Sequence, residues 1–330
     1  MIRTLLCVGV TALATVIGAQ AQDNAAKNDA KDWPSKPVRI IVPVTAGSAV
    51  DITARAVADQ LTQQLGQPFI VENRTGAGGT TGMGYVARSS EPDGYTILVH
   101  SAALVIQPST FPNLGYHAGR DLAAVTPLLN VPLVLIVPPK RYKTLKDLVD
   151  AGKSKSAGLN YATVGYGAAA HLTAERLRLA SGFQAQQVPF RGAPEAVNEV
   201  MSGRVDFFFS PTLAAIPLAE SGKIDILATS NATRAAALPD IPTTIEAGYP
   251  NSDYRFWVGM FVPKDTPGAI IDKLYEATRK VLENETIKKR LAGLGGEPMA
   301  MTPAEWHKFI QEQIAMNADL VKAAGIKPNP

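Results

Sequence analysis

Residues able to do covalent chemistry are sparse in this sequence. The four histidines, His100, His117, His171 and His307, are far apart, and no His-x-His or His-x-x-x-His pair supplies the spacing of a zinc site. The single cysteine, Cys7, lies near the N-terminus, and no Gly-x-Ser-x-Gly turn exposes a serine nucleophile. Asp51 and Asp206 could share acid–base work, but nothing in the sequence brings them together, and Asp51 reads better as support for its own loop and helix start. His171 is a base in principle. In the first turn of a helix it reads instead as a capping or packing residue. The sequence therefore calls for no catalytic group, no metal and no cofactor.

What the sequence does offer is two places where backbone could meet an anion. One is Pro43-Val44-Thr45-Ala46-Gly47-Ser48-Ala49-Val50-Asp51, and the other is Tyr161-Ala162-Thr163-Val164-Gly165-Tyr166-Gly167-Ala168-Ala169-Ala170-His171-Leu172. Each runs from an apolar strand through a small-residue turn into a helix. Such a turn lets N–H groups approach a ligand closely, and the helix end adds partial positive charge. In open α/β sheets the ligand crevice also lies beyond the carboxyl ends of strands. One junction in each half of the chain suggests two turns holding one small anion from both sides. Gly76-Ala77-Gly78-Gly79-Thr80-Thr81-Gly82 is superficially like a dinucleotide fingerprint, but Thr81 occupies its third glycine position and no acidic residue ends a following strand. It reads as a tight turn leading into a helix.

The elements that must position these turns alternate along the chain. Apolar runs predict strands at Val38–Val44, Phe69–Glu72, Thr96–His100, Leu133–Val137, Leu159–Ala162, Val205–Phe209, Ile226–Thr229 and Phe256–Val262, and their continuous hydrophobicity suggests parallel strands covered on both faces. Val50, Ala54, Val57, Leu61 and Leu65 recur at helical spacing, with Gly66 as the stop. Thr144 with Asp147, and Thr302 with Glu305, have capping-box spacing. Pro267 and Pro303 each follow a threonine and are expected at a first helical position. Strand–helix alternation of this kind defines an α/β protein.

Composition agrees with a folded, exported protein. Of 330 residues, 46% are hydrophobic and 18% charged, enough for a core. Thirty-two Lys and Arg against 29 Asp and Glu give no basic face for nucleic acid. Arg3, an uncharged stretch from Leu5 to Gly18, and Ala19-Gln20-Ala21 make residues 1–21 a signal peptide. That stretch is shorter than the roughly 20 residues a spanning helix needs. Cleavage after Ala21 would remove Cys7, leaving a mature chain without disulfide or thiol chemistry. Residues 22–32 are a polar leader.

Eight ordered segments give the mature chain a resemblance to the substrate-binding proteins of tripartite tricarboxylate transporters, the Bug or TctC-like family. They are Trp33–Arg39, Pro43–Asp51, Val71–Arg74 with the glycines from Gly76, Pro92–Thr96, Tyr161–His171, Val188–Gly192, Gly203–Asp206 and Leu238–Thr243. The resemblance implies a two-domain periplasmic-binding-protein fold of the Venus-flytrap type, with two crossover strands. It further implies a monomeric periplasmic receptor without enzymatic activity, binding a small carboxylate by backbone N–H groups and hydroxyls. Its partner would be a membrane permease or a sensor-kinase ectodomain; an exported hydrolase is the remaining alternative. The implied domains are residues 33–132 with 255–330, and 133–254. Trp306, Phe309, Ile310 and Ile314 would pack a C-terminal helix on the first. The candidate ligand set is Thr45, Ala46, Gly47, Ser48 and Asp51 from one turn, and Thr163, Gly165, Tyr166, Gly167, Ala168 and His171 from the other, with Ser101, Ala102, Arg191 and Ser210. Ser48 stands where relatives carry glycine, and Ala168, Ala169 and Ala170 stand where they carry hydroxyls. The second change suggests a monocarboxylate or a more apolar acid over citrate.

Overall fold

The computed structural model describes residues 32–111, 113–165, 167–190, 192–293 and 295–327; the signal peptide and the leader up to residue 31 lie outside them. The chain begins β1 (Val38–Val42), α1 (Ala49–Leu65), β2 (Phe69–Asn73), a short turn of 3₁₀ helix over Ala77–Gly79, α2 (Thr80–Ser89), β3 (Thr96–Ser101), α3 (Ala103–Thr110), α4 (Ala118–Asp121) and β4 (Leu122–Val131). It then crosses to β5 (Leu133–Val137), α5 (Leu145–Ser154), β6 (Leu159–Thr163), α6 (Ala169–Ser181), β7 (Ala185–Pro189), α7 (Ala193–Met201), β8 (Phe207–Pro211), α8 (Thr212–Glu220) and β9 (Asp225–Thr229). It returns through β10 (Phe256–Pro263), α9 (Gly268–Glu283), α10 (Glu285–Ala292), β11 (Glu297–Pro298) and α11 (Pro303–Ala323).

The strands form two sheets, a six-stranded one ordered β11-β4-β10-β3-β1-β2 and a five-stranded one ordered β7-β6-β8-β5-β9. Each sheet with its helices makes one lobe. The sheets are not wholly parallel. β1 runs parallel to β2 and β3, and β6 to β7 and β8, but β10 is antiparallel to β3 and β4, and β5 to β8 and β9. β10 and β5 are the strands that arrive from the other lobe, so they enter without a local βαβ crossover to set their direction; the two-residue β11 is antiparallel to β4 as well. β4 was not anticipated from the sequence. It contains Pro127, which pairs opposite Gly259 where the register with β10 shifts, and bulged positions are where a strand tolerates proline.

Local signals shape the helices. Ser48 caps α1, accepting from Asp51 N–H at 3.3 Å, and Gly66 ends it at φ +72° with its N–H on Thr62 O. Val50, Ala54, Val57 and Leu61 are buried against the six-stranded sheet. Both expected capping boxes form, at Thr144–Asp147 and Thr302–Glu305. Pro303 is the first residue of α11, whereas Pro267 is the residue before α9, one place earlier than expected.

The six-stranded sheet is covered on both faces, by α1, α9 and α10 on one and by α2, α3 and α11 on the other. On the second face Trp306 and Ile310 of α11 are buried and Phe309 packs against them. Trp306 meets Trp257 edge-on at 4.8 Å and stacks on Phe309 at 5.2 Å. Gly259 makes room for it, since a Cβ there would lie 2.5 Å from the indole. A third apolar cluster fills the second lobe.

The crossings are tied together. Ser230 donates its N–H to Leu133 O at 2.8 Å in the first crossing and its hydroxyl to Tyr254 O at 2.8 Å in the second, and Tyr254 N–H returns to Ser230 O at 2.7 Å. Tyr254 is buried and donates its hydroxyl to Asn317 of α11 at 2.9 Å. Replacing Trp306 with alanine empties the centre of the aromatic cluster. Trp306→Ala is expected to lower stability by about 3–5 kcal/mol, measured as the shift of the urea unfolding curve.

Candidate functional site

The two glycine turns are built alike. In the first, Gly47 adopts φ +80° and donates its N–H to Asp51 Oδ2 at 2.9 Å. In the second, Gly167 adopts φ +68° and donates its N–H to His171 Nδ1 at 3.0 Å. Ile52 N–H reaches Ser48 O and Leu172 N–H reaches Ala168 O. Thr53 and Thr173 each donate a hydroxyl to the carbonyl four residues back, both at 2.7 Å. The shared pattern is Gly-x-Ala-x-(Asp/His)-x-Thr-Ala, repeated 120 positions apart in the sequence. That repeat carries the match in the sequence itself, beyond the similarity of the two turns.

The acceptors differ in charge. Asp51 is buried and also accepts from Arg55 Nε at 3.1 Å and from Asn73 Nδ2 at 2.9 Å. Asn73 additionally ties Val44 O and Arg55 into the same group. Burial pushes the Asp51 pKa up, but the hydrogen bonds from Arg55, Gly47 and Asn73 outweigh it and hold the carboxyl below its ordinary 3.8. Its oxygens are thus occupied beneath the turn. His171 is held neutral, because burial pushes its pKa down to about 4 against the opposing charge of Glu175. Accepting at Nδ1 places its ring proton on Nε2. Glu175 in turn accepts from Tyr161 at 2.6 Å and Arg178 at 2.7 Å.

Thr45, Ala46 and Gly47 are exposed, and Ser48, Gly165, Gly167 and Ala168 are half-buried. Thr163 is buried, its hydroxyl accepting from Gln187 at 2.7 Å and from Gly165 N–H at 3.4 Å. Tyr166 and Arg191 lie outside the described residues. Ser101 ends β3 and Ala102 follows it, and the pairing of Leu98 with Ile41 brings that end beside the first turn. Ser210 is the next-to-last residue of β8, whose pairing of Phe208 with Ala162 brings it beside the second. These three are buried, and Ser210 bonds to Pro211 O while Ala102 N–H bonds to Trp257 O. Ala168 gives α6 no side-chain cap, so its first N–H groups lack the partner that Ser48 gives α1.

A chain of close contacts runs from one turn to the other. A Cβ on Gly79 would lie 3.3 Å from Pro43 O, and one on Gly78 would lie 3.3 Å from the Phe111 ring. Gln107 donates to Gly78 O at 2.7 Å. Thr110, three residues on, sits where a Cβ on Gly167 would be 3.0 Å from its methyl. The glycine cluster at 76–82 is therefore a packing surface for the first turn. Among the described residues no cluster of His, Cys, Asp and Glu could hold a metal ion.

Two α/β lobes joined by paired crossings, with glycine turns at the carboxyl ends of β1 and β6, define the periplasmic-binding-protein fold. The profile of the tripartite tricarboxylate transporter family receptor matches residues 53–326, and the chain belongs to that family. BugT of Bordetella pertussis is 32% identical over 323 residues, covering 96% of this chain and 99% of BugT. The structure of the periplasmic binding protein BugD superposes with TM-score 0.74 at 32% identity, over 90% of this chain and 100% of BugD. A Rhodopseudomonas palustris protein solved with adipate gives TM-score 0.78 at 29% identity, over 90% of this chain and 100% of that one. MatC of the same organism, with bound malate, gives 0.72 at 29% over 88% and 100%.

Two outcomes follow from the acceptor pair. The His171 ring should stay neutral at pH 5.5 with its proton on Nε2, read by nitrogen-detected NMR of the imidazole; a titration midpoint near 6.5 would show that the ring is not buried beneath the turn. Its folded pKa is lowered, so the stability it lends is complete above pH 6.5 and is lost as pH falls through about 4. Asp51→Asn should cost roughly 1.5–3 kcal/mol at neutral pH through the weakened bonds to Arg55 and Gly47. Because the Asp51 pKa is also lowered, denaturation curves of the two proteins should converge only below pH 3.8.

Proposed function

We propose that this chain is an exported receptor, without enzymatic activity, that binds a small organic carboxylate between its lobes for a membrane permease of the tripartite tricarboxylate type. On this reading residues 1–21 direct export and are removed after Ala21, the mature protein is a periplasmic monomer, residues 33–132 with 255–330 form one domain, and 133–254 form the other. The observation that carries the reading is the matched pair of helix starts. Two turns, one exposed and one half-buried, each with its glycine N–H held from below, leave neighbouring N–H groups of α1 and α6 to meet an anion.

The ligand set is Thr45, Ala46, Gly47 and Ser48 with Thr163, Gly165, Tyr166, Gly167, Ala168 and Arg191, supported by Ser101, Ala102 and Ser210. Asp51 and His171 act from beneath the turns. Adipate and malate in two relatives support a carboxylate, and the loss of hydroxyls at Ala168–Ala170 favours one with a more apolar body than citrate. Calorimetry with adipate, malate, citrate and a straight-chain monocarboxylate tests this. Adipate or the monocarboxylate should bind more tightly than citrate, and at a hundredfold excess over Kd should stabilise the fold by about 2.7 kcal/mol. Small-angle scattering should show a smaller radius of gyration with the bound acid. Silence from every acid in both measurements would overturn the assignment.

A further inference from the structure

A second surface of the first lobe has the chemistry of a recognition site. Along the outer side of α2 runs an open groove of about 760 Å³, lined by Arg74, Thr81, Tyr85, Arg88, Phe111 and Asn113 among others, with no acidic residue among the described lining. Arg74 lies over the Tyr85 ring, 3.7 Å from its centroid, and gives its Nε to Glu72. Its two terminal amino groups make no hydrogen bond among the described residues, although Nε is ion-paired with Glu72. Arg88 is exposed and rests against Gly115, where a Cβ would lie 2.6 Å from its Nη1. Neither a hydrogen bond nor an ion pair engages Arg88 among the described residues.

The walls are held in place. Gln107 is buried and joins them, donating to Gly78 O at 2.7 Å on one side and accepting from the Tyr116 hydroxyl at 3.3 Å on the other. A neighbouring groove of about 460 Å³ shares the Phe111, Asn113 and Leu114 ridge and continues to His117 and Arg120. The track is therefore longer than a compact metabolite requires. It also begins beside Thr110, against which Gly167 of the second lobe packs, so it adjoins the contact between the lobes.

We infer that this groove is a docking surface for an extended acidic segment of a partner protein, with Arg88 and Arg74 receiving its carboxylates and Tyr85 and Phe111 its aliphatic carbons. Guanidinium groups suit paired recognition of carboxylates, and complementary charge contributes mainly to encounter and register. The inference does not depend on which acid occupies the cleft.

The test uses fluorescein-labelled hexaglutamate and the whole mature chain, followed by anisotropy at low salt. Arg88→Glu should weaken binding by about tenfold or more, with Arg88→Gln in between. Lys223→Glu changes net charge by the same amount on an exposed position of the second lobe, and should weaken binding less than about twofold once salt is raised to screen distant charge. Circular dichroism checks that each variant is folded. Equal weakening by Arg88→Glu and Lys223→Glu would reduce the effect to net charge and overturn the site. Absence of binding by the unaltered chain would overturn it as well.

Discussion

A glycine N–H held by the side chain four residues downstream is the interaction on which both helix starts depend. It fixes Gly47 and Gly167 at positive φ, a conformation only glycine adopts without strain, and so sets the direction in which α1 and α6 leave their strands. The two acceptors reach the same geometry from opposite chemistry. Asp51 is anionic and balanced by Arg55. His171 is neutral and backed by a Glu175–Arg178 pair. Neither arrangement leaves a net charge beneath its turn, so the partial positive charge of each helix end stands uncancelled.

Close packing carries that geometry outward. Gly82 would place a Cβ 2.6 Å from Arg74 O, Gly79 abuts Pro43, and Gly259 abuts Trp306. Small residues thus let the start of α2 close on Pro43 and the C-terminal helix pack on the same face of the six-stranded sheet. The face includes Leu172 of α6 in the same apolar cluster as Leu320 and Val321, so α11 touches both lobes. Interiors packed at crystal-like density transmit displacement instead of absorbing it.

The alternation of apolar strands and capped helices was legible because each signal is local. Leu133–Val137 is a strand with the boundaries read from the sequence, and both threonine capping boxes form where their spacing places them. Departures arise where a distant partner decides. β8 starts at Phe207 instead of Val205, because Val205 N–H turns back to Glu199 O and Asp206 clasps Asn160 N–H at 2.7 Å. β7, with Gln186 and Gln187, is a half-exposed edge strand whose polar residues hide its periodicity. Gln187 then proves to brace Thr163, a role that no local pattern announces. The glycine turns were visible as turns; that Gly78, Gln107 and Thr110 link one to the other is a property of the folded chain alone.

Ser230 has a mechanical consequence. Its backbone and hydroxyl join the first crossing to the second, so the two connections cannot slide past each other without breaking its bond to Leu133 or its two bonds to Tyr254. Shear between the lobes is therefore stiff, while bending that carries both connections together leaves those bonds intact. Two separate strands are thereby reduced to one pivot with a single soft axis. Tyr254, anchored by Asn317, seats that pivot in the C-terminal helix, which would be the bearing for lobes that close as proposed.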